Sequence, residues 1–531
     1  MATVAPSRIR TGRAAEVWLF LLALALGLGG YALVGLNTGE ALPENFGSYA
    51  LTLVVIAVVL HLVVRWRARY ADPLLLPLVL ALNGIGLAMI HRIDIGLASR
   101  GLAAGFGPRQ LIWTMLGAAL AVGVIVALRD HRILRRFTFT AMVAGIVLLV
   151  LPMVPGLGSR INGAQLWIQV GSYSLQPAEL AKILLAIFFA GYLVTNRDVL
   201  TLAGPKVLGL QLPRLRDLGP LVVAWAACIG VLVVERDLGT SLLFFGLFVA
   251  MVYVATERAS WIIIGLLMFA AGALLAIALF PHVADRFDIW LNALDPEIYN
   301  REFGGSGQVV RGLFGLALGG LMGTGWGEGF PHLVSYANSD FIIAALGEEL
   351  GLTGLIAILM VYLVLAQRGI RMAIGVRDGF GKLLASGLAF TIAFQCFVVV
   401  GGVTRLIPLT GLTMPFMAAG GSSLVANWIV IGLLVRISDS SRRPAGEGRG
   451  EVVSEDTAVV ALSALSEASD GGPRRGRKRT GAEDARSDAP GPAEDRTASA
   501  REGAGTANDQ GAGSDDGDDP GAQHTEVVER P

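Results

Sequence analysis

Charge is scarce in this sequence. Of 531 residues only 16% are Asp, Glu, Lys or Arg, where a soluble globular protein carries about 25%. That shortage excludes a cytosolic enzyme and a disordered chain. Cysteine is nearly missing too, with Cys228 and Cys396 the only two, which excludes a disulfide scaffold. Both sit inside apolar runs, where small apolar packing is the expected role and no redox compartment follows. Nor is there a net charge, since 42 basic residues balance 42 acidic ones. The balance conceals a division: from about Ser438 onward acids outnumber bases by roughly eight, so the preceding part carries the matching positive excess. What the chain does have is apolar length. It is 54% hydrophobic, with runs such as Val17–Leu36, Leu51–Val64, Leu116–Leu128 and Ser241–Val254, and its mean hydropathy is +0.62. These features mark an integral membrane protein. The first run is about 20 residues long, enough to span, and lacks a convincing small-residue cleavage site, so no cleavable signal peptide is expected.

A bilayer core of about 30 Å needs roughly 20 apolar residues per helix. Read by length and flanking charge, spans fall near 16–36, 48–65, 73–91, 109–128, 136–154, 177–195, 217–234, 239–255, 261–280, 341–366, 383–402 and 422–437. The expected fold is therefore an all-α polytopic membrane protein of about twelve transmembrane helices. Only Glu235-Arg236-Asp237-Leu238 separates the seventh from the eighth, so these two could form one broken or re-entrant element. Arg8, Arg10 and Arg13, then Arg65, Arg67 and Arg69, Arg129, Arg132, Arg135 and Arg136, Lys206, Arg214 and Arg216, and Arg368, Arg371, Arg377 and Lys382 all fall on one side of this arrangement. The positive-inside rule assigns that side, with both termini, to the cytoplasm. The long loops near 92–108, 155–176, 281–340 and 403–421 then lie outside. The tail from about 439 is rich in Gly, Ala, Ser, Pro and charge and nearly free of aromatics, so it is expected to be disordered. Its basic cluster Arg474–Arg479 could touch anionic lipid headgroups, although a solvated tail of mixed charge is the plainer reading.

Polar residues near or within spans are costly, so chemistry is sought there. One cluster is Asn162–Ile168 followed by Gln176-Pro177-Ala178-Glu179-Leu180-Ala181-Lys182. Pro177 suits the first turn of a helix. Glu179 and Lys182, three apart, share a helical face and can pair, either as a structural ion pair or as a ligand site. Trp167 could be an interfacial anchor. A second cluster, Glu235–Ser241, reads as a tight turn with internal pairing. The third holds the glycine-rich Gly304–Gly307 and Gly323–Gly327, which would let backbone N–H groups approach an anion, though flexibility explains them equally well. It continues as Ser339-Asp340-Phe341 leading into Ile342–Gly351. Asp340, at the start of a span, could be an N-cap or a base. Glu348 lies about 12 Å further along the helix and Glu349 faces nearly the opposite way, so a close two-carboxylate glycosidase pair is not expected there. The fourth, Thr404–Phe416 and Gly420-Gly421-Ser422-Ser423, interrupts an apolar stretch with prolines and glycines. Non-helical backbone at membrane depth is tolerated only inside protein or lining a wet cavity, so this segment should face a cavity, and Arg405 could attract an anionic headgroup.

In this order the four clusters resemble the SEDS family of cell-wall proteins, which includes RodA, FtsW and a sporulation homologue. The matching stretches are Asn162–Trp167 with Gln176–Lys182, Asp237–Ser241, Gly323–Gly327 with Asp340–Gly351, and Pro408–Ser423. They cover most of 73–437. The helices before residue 73 look like an extra pair added to the family's usual ten. That divides the chain into 1–72, a SEDS core at 73–437 with a large extracellular loop at 281–340, and a tail at 438–531. Asn83–Leu87 and Gly401–Arg405 resemble the elongation-type, RodA-like branch more than the division type. The resemblance implies a peptidoglycan glycosyltransferase polymerising lipid II on the outer face of the bacterial cytoplasmic membrane. A class B penicillin-binding protein, which crosslinks the glycan, is the implied partner, and no nucleic acid is expected. Asp340 becomes the implied essential acid, with Trp167, Glu179 and Lys182 in the functional cavity and Arg160, Arg405, Ser422 and Ser423 as further candidate substrate contacts. One departure is that the family often has Ser-Tyr before Gly-Gly-Ser-Ser, whereas this chain has Ala418-Ala419; a direct substrate contact at those two positions is in doubt.

Joining an acceptor hydroxyl to a diphosphate-linked sugar needs a base for the hydroxyl proton and positive charge for the departing diphosphate. Asp340 is the candidate base; Lys182, Arg160, Arg405, Arg286, Arg301 and Arg311 are candidates for the charge. A divalent cation, Mg or Mn, could do the same work, but no ligand spacing specifies one. A helix N-terminus would lower the pKa of Asp340 whereas desolvation would raise it. Two rival readings use the same residues: a flippase for the lipid-linked precursor, with Glu179, Lys182 and Arg405 lining a headgroup path, and a scaffold that positions the penicillin-binding protein.

Overall fold

In the computed structural model of the chain, the described residues run from 12 to 444 without 40, 162–163, 172, 302–303 and most of 198–236. The expected span at 217–234, Cys228, Glu235, Arg236, Arg214, Arg216, Asn162-Gly163 and the tail from 445, including Arg474–Arg479, lie outside them. Among the described residues eleven helices are long and apolar enough to cross a membrane, and they coincide with the other eleven expected spans. The chain is a multi-pass α-helical membrane protein.

The first spans are α1 (Arg13–Gly39), α2 (Phe46–Arg67), α3 (Leu75–Ala98) and α4 (Phe106–Ala127). The fifth joins a 3-10 turn at His131–Phe137 to α5 (Thr138–Val150). After α6 (Pro177–Thr195) come α7 (Leu238–Thr256), α8 (Ser260–Leu279) and the short helices α9 (Pro281–Leu291), α10 (Pro296–Tyr299) and α11 (Gly307–Gly319). The last three spans are α12 (Ile342–Gly375), α13 (Gly379–Val403) and α14 (Gly421–Arg442). Helices α3, α6 and α14 are buried along most of their length, whereas α8 is apolar on all sides and exposed nearly throughout. Lipid offers no hydrophobic drive between helices, so close packing of small residues matters. At the α1–α3 crossing a Cβ on Gly27 would lie 2.9 Å from the Gly84 Cα. Cys396 is buried in α13, as its apolar setting implied.

Helix α12 spans 34 residues with a kink at Gly351 (φ 68°, ψ −173°), and its second part extends well past the expected 341–366. The expectation stopped where Gln367-Arg368 break the apolar run. The helix continues because Gly369, Met372 and Ala373 are buried against neighbours and Arg368 reaches Asp72 at 3.5 Å.

Arginine-rich connections meet at one end of the bundle. Arg436 of α14 donates to the carbonyls of Leu128 (2.7 Å) and Arg67 (2.8 Å). Arg442 pairs with Asp72 at 2.6 Å, and His131 Nε2 lies 2.9 Å from Asp378. Irregular structure gathers at the other end. There β1 (Gly158–Ile161), β2 (Ala164–Val170) and β3 (Tyr173–Leu175) form an antiparallel sheet, with Ser159 opposite Trp167 and Ile168 opposite Leu175. A two-stranded ladder joins β4 (Lys206–Val207) to β5 (Leu210–Gln211). Among the described residues these strands are the exception to otherwise α-helical elements.

Candidate active site

The segment 404–420 links α13 to α14 without helix, and its peptide groups find partners on helices all around it. The Leu409 carbonyl accepts from Arg286 Nη1 of α9 (2.8 Å), and that of Thr413 from Gln395 Nε2 of α13 (2.9 Å). The Pro415 carbonyl accepts from the Tyr362 hydroxyl of α12, that of Phe416 from Asn83 of α3 (2.8 Å), and that of Ala418 from Gln110 of α4 (2.8 Å). The Ala419 N–H donates to the Asn338 carbonyl at 2.7 Å. Irregular backbone is thus satisfied by protein at this depth. At Ala418-Ala419 it is the peptide groups that are held, so no side-chain hydroxyl is required for the anchoring.

This cradle carries Gly411 to the carboxylate of Asp340. With φ +78°, Gly411 sits where side chains are strained, and a Cβ there would lie 3.7 Å from Asp340 Oδ2. Asp340 does not cap α12; Phe341 occupies that position and no side chain bonds the first turn. Asp340 is half-buried. Burial lifts its pKa from 3.8 to about 7, against the opposing pull of the Ser339 hydroxyl and the Arg286 charge, while Asp237 adds to the rise. Desolvation therefore prevails over the helix end.

Arg286 is the cation that this surrounding brings to Asp340. Burial lowers its pKa, and the charges of Asp237 and Asp340 oppose that. Asp237 is the N-cap of α7, accepting the Thr240 N–H at 2.9 Å and Gln176 Nε2 at 3.1 Å. Burial raises its pKa, partly offset by the Thr240 bonds. Gln176 is itself the N-cap position of α6, with Pro177 first in the helix, and its N–H donates to Ser422 Oγ at 2.8 Å. The starts of α6, α7, α12 and α14 thus converge.

One turn deeper, Lys182 Nζ contacts Glu179 at 2.8 Å, Gln395 Oε1 at 3.1 Å and Asn427 Oδ1 at 3.4 Å, all buried. Gln395 Nε2 and Asn427 Nδ2 both donate to Ser423 Oγ, at 3.4 and 3.3 Å. Every polar group is paired, as burial demands. Gln395 therefore ties the Glu179–Lys182 pair to the Thr413 carbonyl of the cradle.

The remaining candidates are held elsewhere. The Arg405 guanidinium donates to the carbonyls of Trp290 (2.7 Å) and Leu291 (3.2 Å), on the wall of a pocket of about 360 Å³ beside Leu313 and Thr404. Arg301 pairs with Asp288 at 3.1 Å and Arg311 is exposed. Trp167 is half-buried in β2, and Arg160 lies in β1. Within 323–327, Gly323 answers a packing need: a Cβ there would lie 2.2 Å from the Glu349 carbonyl oxygen. Glu348 accepts the Phe330 N–H at 2.5 Å, and Glu349 accepts the Gly327 N–H at 3.1 Å and pairs with Arg92 at 2.9 Å. These two carboxylates hold that loop. Among the described residues no three His, Cys, Asp or Glu side chains converge as metal ligands.

Residues 73–443 match the family model described as "Cell cycle protein", which groups FtsW, RodA and SpoVE. The chain belongs to the SEDS family. Over 440 residues it is 48% identical to the peptidoglycan glycosyltransferase RodA of Mycobacterium tuberculosis, covering 82% of this chain and 92% of that one. The probable peptidoglycan glycosyltransferase FtsW of Trichlorobacter lovleyi is 32% identical over 378 residues, 70% of this chain and 94% of that one. Among solved structures, one describing the coordination of polymerization and crosslinking by a peptidoglycan synthase complex aligns with TM-score 0.56 and 26% identity, over 70% of this chain and 99% of that one.

Within this SEDS chain, sequence reasoning missed three site residues. Asp237 was expected in a self-contained turn, yet it bonds across to Gln176. The Asp-x-x-Thr spacing before an apolar run is a helix-start signal that could have marked it. Gln395 and Asn427 were passed over although a buried amide within a span requires a partner.

Proposed function

We infer that the chain is a peptidoglycan glycosyltransferase of the RodA type, polymerising lipid II for cell elongation and shape. The observation that carries the mechanism is the half-buried Asp340 carboxylate beside Gly411, with its pKa near 7 and Arg286 as neighbouring charge. A base is most effective when its pKa lies near the working pH. Asp340 takes the proton of the acceptor sugar hydroxyl as that oxygen attacks the anomeric carbon of the donor chain. The bond from that carbon to the diphosphate oxygen breaks, and the lipid diphosphate leaves with the electron pair. Arg286 stabilises the charge that develops there. Asp340 then releases its proton to water. Glu179, Lys182, Ser422 and Ser423 keep the cradle and helix starts in register for this step.

A divalent cation, Mg or Mn, carried by the diphosphate needs only one or two protein carboxylates. Such an ion would supply further charge to the leaving group, leaving Asp340 free to act as the base. The arginine-rich end is assigned to the cytoplasm by the positive-inside rule, which puts both termini inside and Asp340 at the outer face. The partner is a class B penicillin-binding protein that crosslinks the new strand. The test is polymerisation of lipid II by the purified protein with that partner. Glycan chains from wild type and none from Asp340→Asn are expected; undiminished polymer from the variant removes Asp340 from the mechanism.

A further inference from the structure

At the arginine-rich end, where α2 stops, a pocket of about 190 Å³ is lined by Trp66, Arg67, Arg69, Tyr70, Asp439 and Arg443. Three arginines line it with a single carboxylate, Asp439. That carboxylate is already engaged by the Tyr70 N–H at 2.9 Å, Arg443 at 2.6 Å and Arg436 at 3.5 Å. Arg67 donates through Nε to the Val126 carbonyl at 3.2 Å, a single bond from a fork with five N–H donors. Arg443 likewise spends one contact on Asp439.

The pocket also terminates a lipid-facing stripe. On α2, Leu51, Val55, Val58, Leu62 and Trp66 recur at helical spacing. All are exposed, Trp66 at 72%. An exposed apolar stripe that ends in a tryptophan and then in arginines matches the profile of a membrane leaflet, from acyl chain through interface to phosphate. A soluble anion would use the arginines but have no use for the stripe.

We propose that this pocket binds the phosphodiester headgroup of an anionic membrane lipid whose acyl chains lie along the exposed face of α2. The site bridges two parts of the chain. Arg67 and Arg69 come from the end of α2, and Arg443 follows α14. Arg13 and Arg436 already clasp this connection, Arg13 donating to the Ala71 carbonyl at 2.7 Å and Arg436 to that of Arg67. A bound phosphodiester adds a further clasp between the N-terminal helix pair and the last helix.

The test is native mass spectrometry and thermal melting of the full chain in nanodiscs of phosphatidylglycerol and phosphatidylcholine. Wild type retains phosphatidylglycerol selectively and melts higher in its presence. An arginine near anionic lipid is worth about 1 kcal/mol, or roughly fivefold in occupancy. Arg69→Ala/Arg443→Ala therefore loses retention by about 25-fold, read as the ratio of phosphatidylglycerol to phosphatidylcholine retained, so that any destabilisation from releasing Asp439 is common to both lipids. Arg65→Ala, on α2 but outside the pocket, keeps it. Equal retention of the two lipids, or undiminished retention by the double variant, overturns the proposal. Displacement of the lipid by millimolar inorganic phosphate overturns it as well, since the site would then serve a soluble anion.

Discussion

Replacing Asp340 by Asn separates the catalytic role of this carboxyl from its cost to the fold. Burial raises its pKa from 3.8 to about 7. At 1.36 kcal/mol per pKa unit, holding the ionised form in the folded chain costs about 4 kcal/mol above pH 7. The side chain is half-buried, so solvent screening reduces this to about 2 kcal/mol. Because the folded-state pKa is the higher one, its contribution is most favourable below about pH 4 and is lost as pH rises through about 7. Asn cannot ionise. Relative to wild type, Asp340→Asn gains about 1 kcal/mol at pH 5 and about 2 kcal/mol at pH 8, read as a melting-temperature advantage that widens by a few degrees between the two. Polymerisation moves the opposite way. Wild-type rate climbs with pH through about 7 and levels off as the base is freed, while the Asn variant loses a factor on the order of 10²–10⁴. Paired melts at pH 5 and 8, with gel analysis of glycan length, measure both. A stability difference that is the same at both pH values, or a variant that polymerises normally, refutes the reasoning.

Lys182→Met leaves Glu179 buried without its cation and is expected to cost about 3–5 kcal/mol, whereas Glu179→Gln/Lys182→Met recovers most of it; equal destabilisation of single and double variants in detergent unfolding contradicts this. Gly351 breaks α12 at φ 68° and ψ −173°, with an added Cβ only 2.2 Å from the Gly323 nitrogen. Gly351→Ala should lose at least about 3 kcal/mol, and a melt matching wild type argues against that close approach. At the other end, burial alone would raise the pKa of Asp378, but His131, the Gly381 N–H and Arg132 hold it down to about 2. A depressed carboxyl stabilises above its unfolded pKa and loses that benefit as pH falls from about 4 to 2. Wild type should shed about 2 kcal/mol over that window and Asp378→Asn should not, as acid titration of the melt reports.

The spans were legible because a bilayer demands some twenty apolar residues in a row, and charge marks where each ends. Pro177 and the pairing of Glu179 with Lys182 were legible for the same local reason, a single helical turn. What the sequence could not disclose was convergence. Arg286 and Leu409 are 123 residues apart, and nothing in either stretch says that a carbonyl of one will fix the guanidinium of the other beside Asp340. The small sheet at 158–175 escaped notice because its strands are short and its alternation is broken at Gly171. The glycines at 323–327 were ambiguous in another way. Composition left an anion cradle and plain flexibility equally open, while Gly323 is needed to lie against the α12 backbone.

The cradle at 404–420 is held by its peptide groups, and the side chains that hold it belong to α3, α4, α9, α12 and α13. This inverts the usual map of vulnerability. Substitutions within the segment that spare its backbone conformation leave the anchors intact, whereas a change at Asn83, Gln110, Tyr362 or Gln395 releases one of its fastenings. Each fastening lies on a different helix, so a small shift of any one of them is transmitted to the whole segment. Variants that blunt the reaction should therefore be scattered through the primary structure, many of them in helices that never touch substrate.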